Sequence, residues 1–111
     1  MQTVSPQRLK NELEKGTSVI IVDLQENHEY THSHIPGAIN IPWSTFSQSH
    51  TDSLNDKDAI IVVYGEFDES GKGLSAAQIL EKEGYNRVGY LEGGLMGWKD
   101  AGFPTENGSE S

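Results

Sequence analysis

Two blocks of β-branched residues, Val19–Leu24 (VIIVDL) and Ala59–Tyr64 (AIIVVY), constrain the fold more than anything else in the chain. Each is strand-sized and has no hydrophobic/polar alternation, the pattern of a strand covered on both faces, as in a parallel sheet. Val88–Leu91 reads as a third good strand, Ala38–Ile41 as a short one stopped by Pro42, and Thr3–Val4 as an edge piece. Helical segments fall between them. Ser5 caps a helix with Pro6 at its first position and Leu9 and Leu13 on one face, ending at Lys15-Gly16. Asn27–His32 makes a short helical turn before Pro36-Gly37, and Trp43–Phe46 another. Leu74–Glu83 is a helix with Ala76, Ala77 and Leu80 on one face and Gly84 as its C′ residue, and Gly94–Asp100 is a last short helix carrying Met96 and Trp98. His50–Asp58 reads as a polar connector. Such alternation implies an α/β architecture, a mainly parallel sheet with helices on both faces. Ligands of such sheets sit beyond the carboxyl ends of the strands, which directs attention to the loops after Leu24, Tyr64 and Leu91.

The 111 residues allow one domain, expected over residues 1–104, with 105–111 (TENGSES) as a flexible polar tail. No apolar run approaches the roughly 18 residues of a membrane helix, and the N-terminus shows no signal-peptide pattern. A cytoplasmic location is the expectation. A net charge of −9 argues against nucleic acid or an anionic membrane as the main partner, because both need clustered cations. There is no cysteine. Disulfides, thiolate metal sites and cysteine nucleophiles are therefore excluded, which removes more chemistry than any other count.

Taken together, VSPQRLK near the start, Val19–Pro42 with its HIPGA sequence, Asp56–Tyr64, and Leu74–Pro104 with LEGGLMGW resemble a rhodanese-like domain of the single-domain sulfurtransferase type. The matching stretches cover nearly the whole chain in the family's order. The resemblance implies a three-layer sandwich around a five-stranded, mainly parallel sheet. It also implies a structural role for Asp23, tying neighbouring loops together, and a packing role for Trp98. In active members a Cys follows the strand and opens a loop of inward-pointing backbone N–H groups, usually closed by an Arg. Here Gly65 stands at the Cys position, Gly65–Ser75 is about two residues longer than the usual pattern, and Asp23-Leu24-Gln25 replaces Asp-Val-Arg.

Rhodanese chemistry holds the transferred sulfur on a thiolate, as a persulfide, and Gly65 offers no atom to carry it. No catalytic residue is assigned, and sulfurtransferase activity is not expected of the chain alone. The expected site is a binding surface made of Gly65, Glu66, Phe67, Asp68, Glu69, Ser70, Gly71, Lys72 and Gly73. A glycine-rich turn before a helix can hold an anion on backbone grounds. Three carboxylates against one Lys oppose this, since two like charges about 6 Å apart repel by nearly 3 kcal/mol at an effective dielectric of about 20. A basic peptide or a cation is favoured over an anion, with a protein carrying a basic segment as the natural partner, while a solvated acidic loop without a ligand is the single outcome most expected. The alternative function is sulfur transfer with a nucleophile supplied by a partner.

Other signals are weaker. His28-Glu29-Tyr30-Thr31-His32 matches HExxH, yet the segment is too short for a zinc-protease helix. Chance metal binding by His28, His32 and His34 is conceivable, but a solvated turn is preferred and no metal or cofactor is expected. Gly65–Lys72 misses the P-loop spacing by one residue, and Gly73 replaces its Ser/Thr. Gly93-Gly94-x-x-Gly97 serves close packing at the entry to the last helix. Trp43, Tyr85, Trp98 and Phe103 read as core or rim packing.

Overall fold

The structure, a computed structural model, describes residues 2–109. Five strands form one sheet: β1 (Gln2–Val4), β2 (Val19–Asp23), β3 (Ile39–Asn40), β4 (Ile60–Tyr64) and β5 (Arg87–Leu91). Their order is β1-β5-β4-β2-β3, and every pairing is parallel. The two β-branched blocks lie side by side at the centre, with Ile21 opposite Val62 and Asp23 opposite Tyr64. Because successive side chains leave opposite faces, each block feeds two cores. Val22, Leu24, Ile61 and Val63 pack with Ala76, Ala77 and Leu80 on one side. Ile21, Val62 and Tyr64 pack with Leu9, Leu95 and Trp98 on the other. Burial of each such aliphatic side chain is worth about 1.5–3 kcal/mol.

Helices α1 (Pro6–Glu14), α2 (Asn27–His32), α3 (Phe46–Ser53), α4 (Lys72–Lys82) and α5 (Gly94–Asp100) cover the sheet, giving the three layers expected. α1 starts as the sequence dictates, with Ser5 Oγ accepting from the Arg8 amide at 3.1 Å and Pro6 in the first turn. Gly84 follows α4 with φ +95°, as a C′ glycine should. None of the helices among the described residues is long and apolar enough to cross a membrane.

Three expectations are corrected. His50–Asp58 is not simply a connector, because α3 runs through it to Ser53. His50 is buried in the position of an apolar residue, stacked on Phe46 at 5.1 Å, with Nδ1 bonded to the Phe46 carbonyl and Nε2 2.6 Å from Glu83. α4 begins at Lys72 rather than Leu74, so the loop after β4 surrenders its last two residues to the helix. The segment after Pro104, expected to be frayed, is held as far as Gly108. His34 and Glu106 exchange backbone hydrogen bonds at 2.9 Å, and the Gly108 amide donates to the Thr31 carbonyl at 2.7 Å.

Candidate functional site

All the residues proposed from sequence lie at the carboxyl end of β4, where the chain leaves the sheet at the buried Gly65. The loop makes a single 3-10 turn, Asp68–Ser70, and enters α4 through Gly71 in the left-handed region (φ +69°). Three of its amides bond within the loop itself. Ser70 N donates to the Phe67 carbonyl, Gly71 N to the Asp68 carbonyl, and Lys72 N to Ser70 Oγ at 3.3 Å. The Ser70 hydroxyl in turn donates to the Phe67 carbonyl at 2.9 Å. A Cβ on residue 65 would stand 3.4 Å from Ser70 Oγ, an ordinary contact. The Ser70 hydroxyl thus sits beside the place where the resemblance puts a sulfur, and it engages an amide of the cradle.

Below the loop is a buried polar floor. Asp23, fully buried, accepts hydrogen bonds from the Gln25 amide (2.7 Å), Gln25 Nε2 (2.9 Å) and the Tyr64 hydroxyl (2.5 Å). Tyr64 Oη also accepts from the Ile35 amide at 3.1 Å. Gln25 reaches on to the Ser33 carbonyl, and Asn40 Nδ2 donates to the Asp23 and Gln25 carbonyls. Asp23 therefore ties the segments after β2 and β4 to the HIPGA turn, the structural role expected of it. Burial pushes its carboxyl pKa up, opposed by the hydrogen bonds from Tyr64 and Gln25. Burial, with the Asp23 charge beside it, raises the Tyr64 hydroxyl too, so the phenol stays protonated and donates. Gln25, standing where an Arg was expected, performs the bridging without a charge.

α5 closes the site from above. Its first amides clamp the loop's carbonyls: Leu95 N donates to Gly65 O and Met96 N to Glu66 O, both at 2.9 Å. This approach depends on Gly94, since a Cβ there would lie 2.5 Å from Gly65 O. The Gly93 amide donates to Asp68 Oδ2 at 2.9 Å, so one of the three loop carboxylates is committed to holding the α5 entry. Glu66 and Glu69 remain exposed, and neither forms an ion pair among the described residues.

A cavity of about 150 Å³ opens at the loop, lined by Gly65, Phe67, Gly71, Leu74 and Tyr90 among others. A second hollow, of about 310 Å³, runs between α2 and α5 and includes Glu66 and Met96. Three of the exposed large apolar side chains frame this region: Phe67 (41% exposed), Leu74 (38%) and Met96 (46%). Leu74, Tyr90 and Met96 were not singled out as binding residues from sequence. Only the helices' orientation shows that Leu74 and Met96 face out.

The HExxH resemblance does not assemble a centre. α2 is six residues long, His28 and His32 are exposed, and His34 is fully buried with Nδ1 on the Tyr30 carbonyl. Among the described residues there is no group of three His, Asp or Glu placed to hold a metal ion. Trp98 and Tyr85 are buried as packing residues.

Comparison with known proteins agrees with this geometry. The rhodanese-like domain family matches residues 5–101. The uncharacterized protein slr1261 of a Synechocystis strain is 32% identical over 103 residues, covering 93% of this chain and 55% of that protein. The thiosulfate sulfurtransferase GlpE of Haemophilus influenzae is 29% identical, covering 93% and 92%. The crystal structure of the Alr3790 protein from Anabaena superposes with a TM-score of 0.82 at 35% identity, covering 93% of this chain and 81% of that one. Several curated relatives are longer: the chain spans about half or less of slr1261, of an HTH-type transcriptional regulator of Mycobacterium tuberculosis, and of a sulfur carrier protein homologue of Bacillus subtilis. With a five-stranded parallel sheet, helices on both faces, and a loop-to-helix cradle at the carboxyl end of β4, this chain belongs to the rhodanese-like domain family.

Proposed function

We propose that this domain is a non-catalytic rhodanese-like module that binds a basic segment of another protein at the mouth of the Gly65–Gly73 loop. The observation that carries the reading is residue 65 itself. The position that should hold the transferred sulfur has no side chain, the chain has no cysteine, and the adjoining amide at Lys72 is engaged by Ser70 Oγ. The surroundings support binding of a cationic segment with apolar anchors. Glu66 and Glu69 are exposed and form no ion pair among the described residues, and Phe67, Leu74 and Met96 offer apolar contact beside them. Charge steering of this kind accelerates association and makes it salt-sensitive.

The alternative is sulfur transfer through a partner's thiol, the chemistry suggested by relatives named thiosulfate sulfurtransferase. A persulfide brought in that way would have to compete with Ser70 for the cradle, beside two carboxylates that repel an anionic donor.

A fluorescent peptide rich in Lys and Arg and carrying Leu and Met anchors provides the test. Its affinity should fall about tenfold between about 0.05 and about 0.5 M salt. The Glu66→Lys/Glu69→Lys double variant should weaken it by about as much. An affinity indifferent to both salt and the double substitution sinks the electrostatic reading.

A further inference from the structure

At the other end of the sheet from the loop lies a larger cavity, of about 510 Å³. Its origin is legible in the strand register. On the face covered by α1, Val19, Ile60 and Arg87 align across the amino ends of β2, β4 and β5. The next aligned set is Ile21, Val62, Gly89 and Gln2. Gly89 adds no side chain to this floor, and none would fit: a Cβ there would come within 2.8 Å of Val4 Cγ2 and 3.0 Å of the Gln2 carbonyl. Val4 and Gln2 of the edge strand therefore close in over Gly89, and the hollow is walled by Val4 and Leu9 beside Val62 and Arg87.

The rim carries charge opposite to that of the molecule. The net charge is −9, and the chain has two arginines, Arg8 and Arg87. Both line this cavity. Neither forms an ion pair among the described residues; the Arg8 guanidinium donates one hydrogen bond among them, of 3.4 Å, to Gln2 Oε1. The one carboxylate in the lining, Glu12, is engaged elsewhere, accepting from Thr17 Oγ1 at 2.9 Å and from Lys15 Nζ at 3.2 Å, although its charge also acts on Arg8. Two guanidiniums in no ion pair among the described residues, bordering a hollow of mixed lining with Val4, Leu9, Ile60 and Val62 on its apolar side and a volume within the usual range of small-molecule sites, form a site for an anion with an apolar body.

We propose that this cavity binds a small amphipathic carboxylate, its apolar chain against Val4, Leu9, Ile60 and Val62 and its carboxylate on Arg8 and Arg87. A bare inorganic anion leaves the apolar wall unused, and a cationic amphiphile meets the wrong charge. This site is remote in the fold from the Gly65–Gly73 loop and does not depend on the binding role assigned to that loop.

The test uses ¹⁵N-labelled protein titrated separately with octanoate, octylammonium and sulfate. Octanoate should give saturable shifts centred on Leu9, Val62 and Gly89, binding about tenfold more tightly than octylammonium, while sulfate should not saturate. Arg8→Ala and Arg87→Ala should each weaken octanoate by about fivefold or more, in line with loss of a charge-assisted hydrogen bond. Both side chains are exposed at the rim, so the variants should fold, and an unchanged melting temperature verifies that. The proposal is overturned if octanoate shifts do not saturate or centre on residues 65–74. It is equally overturned if octylammonium binds as well or the Arg8→Ala/Arg87→Ala double variant binds octanoate unchanged.

Discussion

Gly94→Ala is expected to destabilise the domain by about 3 kcal/mol or more, the sum of left-handed backbone strain and a clash that cannot relax cheaply. Gly94 has φ +60°, and the added Cβ would lie 2.5 Å from the Gly65 carbonyl oxygen and 2.9 Å from the Glu66 carbonyl carbon and oxygen. All are backbone atoms, so no side chain can swing aside. Relief requires α5 to retreat, and retreat breaks the bonds from Leu95 N to Gly65 O and from Met96 N to Glu66 O. The natural control is Gly16→Ala, where φ is +83° and a Cβ would meet nothing within 4 Å. That variant isolates the conformational strain, about 1–2 kcal/mol. In thermal melts Gly94→Ala should lower Tm by roughly 10 °C or more, well beyond Gly16→Ala. Equal losses in the two variants would show that the close approach of α5 to the loop contributes nothing.

Trp98→Ala should cost about 3–5 kcal/mol, the range for removing a fully buried large aromatic side chain. Trp98 is 1% exposed and packs edge-on against Phe103 at 5.1 Å. Its indole N–H donates to the Pro104 carbonyl at 2.7 Å, which links α5 to the segment that returns across His34. Truncation therefore removes core volume from the layer beneath α5 and releases the chain from Pro104 onward. Beyond the fall in denaturant midpoint, amide exchange at Glu106 and Gly108 should accelerate, because the bonds to His34 and Thr31 lose their anchor. Trp98→Phe, which keeps part of the volume but not the donor, should fall between wild type and Trp98→Ala. A loss below about 1 kcal/mol for Trp98→Ala would contradict the role given to this residue.

The sheet was legible because Val19–Leu24 and Ala59–Tyr64 leave almost no choice: β-branched residues on both faces require cover on both faces. The ends of α1 and α4 were legible for the same kind of reason, a Ser-Pro start and a C′ glycine. α3 was missed because its repeat, Phe46–His50–Leu54, has a histidine in the middle. As a letter His50 looks polar, yet stacking on Phe46 and the bonds to the Phe46 carbonyl and Glu83 let it act as a core residue. The tail was misjudged because its restraint is backbone pairing with His34, which composition does not encode.

The site divides similarly. The close packing at Gly93-Gly94 was legible in the glycines themselves. What sequence could not supply was the direction of side chains within the loop. Asp68 counted as one of three repelling carboxylates, whereas it caps the Gly93 amide. Ser70 counted only as one member of the loop surface, whereas its hydroxyl stands 3.4 Å from where a Cβ on residue 65 would be. The two arginines were lost in the net charge, because they lie near opposite ends of the sequence and only the register of β4 and β5 and the placement of α1 bring them to one hollow.

The proposed non-catalytic role rests on a rhodanese-like scaffold with no cysteine to carry a transferred sulfur. Intact-mass spectrometry of the whole chain after incubation with thiosulfate, and separately with a small-molecule persulfide donor, tests it most directly. The account predicts a mass unchanged by either donor, together with thiosulfate:cyanide turnover at the uncatalysed rate. A species heavier by one sulfur atom that cyanide then discharges would contradict it.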